Sequence, residues 1–224
     1  MVISFFALLI PLVLMLVVLG LVALVLRNGR RRRALAQERA AQAAASGWYL
    51  VPPDPWLLQI AGSVFPAGGD VTEAWAGSYR GRGMYLFDYR YVTSNGKTQS
   101  THHVHFVALN LPVALPPLMI TRETGLRRMF HGRDLELENA AFNEQFRVDC
   151  DDDRYGSAVM HPRMMECVQY NPALEWLISG NAFVTWGVGG FHVPDVHARL
   201  EAMTRLIDLI PPFVLRDYGQ PTYR

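Results

Sequence analysis

The chain has 224 residues, half of them hydrophobic and 18% charged. That balance excludes a disordered tail and a disulfide-rich miniprotein, and 18 Gly and 14 Pro without a period exclude a collagen-like chain. Residues 1–47 carry six Arg and one Glu, whereas residues 48–224 hold 15 basic and 19 acidic side chains, so the larger part has a net charge of −4. It lacks the basic surface that phosphates require, and no nucleic-acid partner is expected.

Val2 to Leu26 holds no charged residue, with only Ser4, Pro11 and Gly20 as soft interruptions. A bilayer core of ~30 Å takes about 20 helical residues, so the sequence predicts a single transmembrane anchor over residues 1–27. The apolar run has no basic residue before it and Arg27 and Arg30 to Arg33 directly after it, which argues against a cleaved signal peptide. Positive charge on the C-terminal side alone predicts a single-pass protein of the cell membrane, with Met1 outside and residues 48–224 in the cytoplasm. The same five side chains, Arg27, Arg30, Arg31, Arg32 and Arg33, are expected to meet anionic lipid headgroups of the bilayer, at about 1 kcal/mol each. Two cysteines, Cys150 and Cys167, suit a reduced compartment and imply no disulfide framework.

Residues 28–47 form a basic juxtamembrane segment and an Ala-rich helical stalk, with Gly47 as its stop. Trp48 to Pro55 reads as the packed start of an α+β domain over 48–224, its other reading being an aromatic belt at a membrane interface. Asp54-Pro55 opens a helix through Ile60. From Ala74 to Leu111 the period is two: Tyr85, Phe87, Tyr89 and Tyr91 alternate with Met84, Leu86, Asp88, Arg90 and Val92, and the Asn95-Gly96 turn makes a hairpin with the strand through His105 and Leu109. Pro112, Pro116 and Pro117 are expected to end that strand, with Leu118 to Ile120 forming another short one.

A helical turn is expected at Leu126 to Phe130, and an extended segment from Phe142 to Asp149. Asp153 is expected to cap one helix and His161-Pro162 to open a second through Tyr170. Trp176 to Trp186 reads as two strands around Ser179-Gly180-Asn181. Pro194 starts a final helix with an apolar stripe of Val196, Leu200, Met203, Ile207 and Ile210, ended by Pro211-Pro212. The fold class is therefore α+β: a single transmembrane helix and helical stalk, then an antiparallel sheet packed by helices, the long C-terminal one among them.

Few patterns point to chemistry. His103 and His105 share one strand face, as an H-x-H zinc pair does, but no third ligand is evident, so no metal site is assigned and the two histidines are expected to face solvent. Asp149, Asp151 and Asp153 imitate the opening of a calcium loop, yet Arg154 stands where Gly is required and Met160 where Glu is required. These carboxylates suit a helix start instead. Gly81-Arg82-Gly83 lacks the context of a phosphate loop, Gly187, Gly189 and Gly190 suggest a loop, Cys167 reads as a buried thiol, and Ser157 has no nucleophile-elbow context. No cofactor is expected.

Asn139 to Val148, with Phe142-Asn143 and Phe146 in it, is followed by Asp152-Asp153, Ala158 and His161-Pro162-Arg163-Met164-Met165-Glu166. With Glu138 and the earlier Gly77-Ser78-Tyr79-Arg80-Gly81-Arg82, this order resembles a bacterial family of membrane-anchored proteins of unknown function, over roughly residues 75–190. His161 stands where that family usually has Thr. The resemblance implies a membrane-tethered α+β domain and carries no catalytic residue. Physically the motif looks like a core, with Phe142, Phe146 and Val148 turned inward.

The leading functional expectation is a non-enzymatic interaction or scaffold protein, an accessory component of a bacterial membrane assembly such as a respiratory-chain or cell-envelope complex, with a membrane-protein partner. The alternative is a membrane-associated enzyme or ligand sensor built on the His103/His105 face.

Overall fold

The computed structural model describes residues 2–66, 68–122 and 135–221, and the side chains among them except those of 2–14, 16–18, 25 and 31–33. The helical turn expected at Leu126 to Phe130 lies outside the described residues. The chain divides into two units, residues 1–46 and 47–224.

The first unit is one continuous helix, α1 (Val2–Ala45), in which the expected stalk prolongs the apolar segment without a break. Among the described residues no helix is long and apolar enough to cross a membrane. This corrects the expected anchor over 1–27. The single-pass placement, with Met1 outside and 48–224 in the cytoplasm, goes with it, because the arginine rule orients only a span. Arg27 and Arg30 are exposed, and the side chains of Arg31, Arg32 and Arg33 lie outside the described residues.

The second unit is an antiparallel sheet with helices on both faces. Its elements are β1 (Tyr49–Leu50), α2 (Pro55–Val64), β2 (Asp70–Tyr79), β3 (Arg82–Ser94), β4 (Gln99–Arg122), α3 (Ala140–Asn143), β5 (Phe146–Cys150), α4 (Asp153–Val159), α5 (Pro162–Tyr170), β6 (Trp176–Val188), α6 (Val193–Leu209) and α7 (Pro212–Asp217). The sheet order is β1-β2-β3-β4-β5, with β6 also paired to β4.

Short-range signals hold where they act locally. Asp54 caps α2 by accepting from the Trp56 N–H at 2.8 Å, and Pro55 fills its first position. In the β3–β4 turn Gly96 has φ of +83°, a conformation that favours glycine, and Asn95 Oδ1 accepts from the Lys97 and Thr98 N–H groups. Trp48 is buried while its neighbours Tyr49 and Leu50 are exposed. A packed start fits Trp48 better than an interfacial belt does.

Five boundaries differ from expectation. β4 does not stop at its prolines. Pairing with β3 ends at Leu109 and pairing with β5 begins at Leu118, while the β6 register shifts on both sides of Leu115. Pro112, Pro116 and Pro117 thus fall in an interval where little ladder bonding is asked of them. β6 is likewise one strand, because Gly180 takes φ of +57° at a register shift and lets the chain bulge and continue. Phe142 and Asn143 belong to the α3 turn, capped by Asn139, so extended structure begins only at Phe146. Asp152 caps α4 through the Arg154 and Tyr155 N–H groups, one residue earlier than expected, and Pro212 opens α7 where the chain was expected to leave helix.

The period of two gives the sheet two faces. One face presents Phe87, Tyr89, Val104, Phe106, Val184 and Trp186 to the Leu57, Ile60, Ala61 and Val64 stripe of α2. Each large aliphatic side chain buried there contributes about 1.5–3 kcal/mol. The opposite face lies under α6, whose Val196, Leu200, Met203 and Ile207 are all buried. Phe142, Phe146 and Val148 are buried too, with the two rings stacked at 4.9 Å.

Two measurements follow. A chain reduced to residues 47–224 is expected to melt cooperatively by circular dichroism, and a gradual, featureless melt would count against an independent unit. Phe146→Ala is expected to cost about 3–5 kcal/mol by lost burial and a cavity, read as a lower urea midpoint at unchanged slope. An unchanged midpoint would make this ring a surface contact.

Candidate functional site

Two buried polar side chains of the second unit, His105 and Thr185, lie where β4 and β6 meet the start of α6. His105 lies opposite Gly187 in the β4–β6 register, and its ring packs against that glycine: a Cβ there would stand 2.6 Å from His105 Cε1 and 3.0 Å from Arg199 Nη2. A side chain there would push the imidazole or the guanidinium aside.

His105 is 8% exposed, so it does not face solvent as expected. Its Nδ1 lies 3.0 Å from the Gly189 carbonyl, which can only accept, so Nδ1 carries the hydrogen and Nε2 keeps a lone pair in the neutral ring. Burial pulls the imidazole pKa below its ordinary value; the Gly189 bond and Asp195 oppose this, while Arg199 and His192 reinforce it. Arg199, on the second turn of α6, donates from Nη1 to the Trp186 carbonyl at 2.6 Å and to Thr185 Oγ1 at 3.5 Å. Burial lowers its pKa, and the nearby charge of Asp195 partly restores it.

A second polar group joins α6 to the β2–β3 turn. Tyr79 donates to Glu201 at 3.0 Å, Arg80 pairs with the same carboxylate at 2.8 Å, and Arg82 pairs with Asp208 at 3.1 Å. His197 lies between the rings of Trp48 and Tyr79, with centroids 5.0 and 6.3 Å away. These exposed ion pairs orient the turn more than they stabilise it.

The histidines singled out from sequence are not brought together. His103 is exposed, past the end of β6, while the turn into α6 covers His105. His102 bonds to Thr93 at 2.9 Å and stacks on Tyr91. Among the described residues no three His, Cys, Asp or Glu side chains cluster to hold a metal ion. Asp149 is buried and accepts from Arg147 at 3.0 Å, which engages it in the sheet. The Cys150 thiol donates to the Asp152 carbonyl, and burial pushes its pKa up. Cys167 is half-buried, less enclosed than expected, with its pKa also raised by burial. Ser157 is exposed on α4. Gly187 lies within β6, leaving Gly189 and Gly190 to make the loop.

Sequence reasoning missed Arg199. Its signal was faint but present: at three residues from Val196 and four from Met203, it sits on the rim of the buried stripe, where an arginine is conspicuous.

The fold is similar to the crystal structure of the mycobacterial trehalose monomycolate transport factor A, TtfA, with a TM-score of 0.54 and 15% sequence identity over 86% of this chain and 99% of that one. No protein-family model matches the chain, and no curated protein sequence matches it. At that identity the likeness concerns the fold alone.

The depressed pKa of His105 has a measurable sign. Below its ordinary value near 6.5 the unfolded chain binds a proton that the folded chain resists. This residue's contribution is therefore full above about pH 6.5 and is lost as pH falls from there toward the folded pKa. The melting temperature is expected to fall over that window, and His105→Gln is expected to flatten the fall. Identical slopes in both proteins would refute this assignment.

Proposed function

We propose that the chain is a non-enzymatic interaction protein, an accessory factor of a bacterial cell-envelope assembly. The observation that carries this reading is how four buried or half-buried polar side chains are spent. His105 bonds the Gly189 carbonyl, Arg199 that of Trp186, Tyr155 that of Pro116 and His161 that of Leu209. Groups tied to main-chain carbonyls hold loops and strand ends in place. Catalysis asks instead for a nucleophile, a base and a reacting atom within mutual reach.

Two further points support it. The fold neighbour is named as a transport factor, which suits an accessory role more than a catalytic one. The edge strand β1 offers Tyr49 and Leu50, 61% and 59% exposed, on a strand only two residues long. Large apolar side chains on a sheet edge suit a protein contact. In the motif that resembles the membrane-anchored family, Phe142, Phe146, Met164 and Met165 are buried, which suits a role in the core.

The test is affinity purification of the full chain from native cells in mild detergent, with quantitative mass spectrometry, beside a Tyr49→Glu/Leu50→Glu variant. One envelope complex is expected to co-purify in stoichiometric amount with the unaltered chain and to be lost from the variant at unchanged melting temperature. A chain that purifies alone and turns over a small molecule would overturn the reading.

A further inference from the structure

Arg199 is a cation in a costly place. Its guanidinium is partly withdrawn from water, and its hydrogen bonds run to neutral groups, the Trp186 carbonyl and the Thr185 hydroxyl. Among the described residues no carboxylate lies within ion-pair distance of it. Asp195, one turn earlier on α6, acts on it only from further away and is itself exposed. Charges removed from water are as a rule paired, because desolvation is otherwise uncompensated.

The surroundings reinforce the positive character. His105 Nε2 and Arg199 Nη2 both lie beside Gly187, within 2.8 and 3.0 Å of where its Cβ would be. Nε2 has no hydrogen-bond partner among the described residues, and the residue as a whole is 8% exposed. His192 occupies the cap position of α6 without a side-chain capping bond, and Asp195 is the acidic residue in the first turn of this 17-residue helix. A Cβ on Gly189 would meet nothing within 4 Å, so the loop beside the cluster is open.

We propose that Arg199, His105 and His192 bind an oxyanion, a carboxylate or phosphate group, at the start of α6. The anion accepts a charge-assisted bond from Arg199 Nη2 and further bonds from the imidazole N–H groups, His105 taking up a proton at Nε2 as it binds. The site uses the atoms of Arg199 and His105 that their main-chain bonds leave over, whereas the partner contact proposed above lies on β1, so either reading can fail without the other.

Calorimetric titration of the full chain in mild detergent tests it, with inorganic phosphate and with acetate at constant ionic strength. Saturable one-site binding is expected, and whichever anion binds tighter identifies the class of group. Loss of one charge-assisted partner is worth roughly tenfold or more, so Arg199→Gln is expected to weaken binding by at least that factor and His105→Gln by less. Arg199→Lys keeps the cation without the fork and is expected to bind with intermediate strength, which covers the case of a Gln variant that does not fold. Asp195→Asn removes the competing carboxylate and is expected to bind tighter. Three results would each overturn the proposal: no saturable binding of either anion; equal binding by the wild-type chain and Arg199→Gln; or an Asp195→Asn chain that melts lower without binding tighter. The last would make Asp195 the counter-ion of Arg199.

Discussion

Everything in the second unit is hung on β4. Its 24 residues run about 80 Å if fully extended, far longer than the usual five or six residues of a strand. One edge of β4 is shared in turn by β3 and β5, while β6 follows the other. A flat strand of that length could not hold three partners on a twisted surface. The interval between Asn110 and Leu118 supplies the break. There the β6 register shifts, the prolines sit, and the main chain finds partners elsewhere: Ala114 exchanges hydrogen bonds with Gln220, and the Pro116 carbonyl accepts from Tyr155. The irregular stretch is satisfied by the C-terminal segment and by one buried tyrosine.

This dependence explains what could be read in the sequence and what could not. The Asn95-Gly96 turn, the Asp54-Pro55 start and the stripe of α6 are local, each fixed by a few residues acting over one or two turns, and each is present. Whether Pro112 ends a strand depends on what lies beside it. Where no ladder bond is demanded, a proline costs little, and nothing near it in the sequence reports that. Gly180 misled in the same way, since a glycine between two strands and a glycine at a bulge look alike until the partner strand is known. The apolar run of α1 gave a strong hydropathy signal, but the helix continues unbroken through the arginines to Ala45, and no described helix is long and apolar enough to cross a membrane.

The candidate site was half legible. A histidine at position 105 on a strand face followed from the alternation, but its burial depends on a turn more than 80 residues later, at Gly189. The same distance hid its neighbour. Gly187 reads as a loop residue, whereas in the fold it is the floor on which the imidazole and the guanidinium rest. Pattern gives direction along a strand; only the pairing of strands says what stands above it.

The β6 edge shows why an arginine holds that place. Gly189 donates to the His103 carbonyl, so the odd-numbered residues of β6 turn their main-chain groups toward β4, and those of Val184, Trp186 and Val188 turn outward. Such an outward row is a template for another strand. The Trp186 carbonyl, at its centre, is taken by Arg199 Nη1, while at its end Val188 is 91% exposed. A lysine could cap that carbonyl as a point charge. The planar fork of arginine does more, because one nitrogen closes the strand edge while the other is held beside His105. The same side chain thus seals the sheet and keeps a donor in reserve. That is consistent with a cation being kept in a place where a neutral donor would serve the edge equally well.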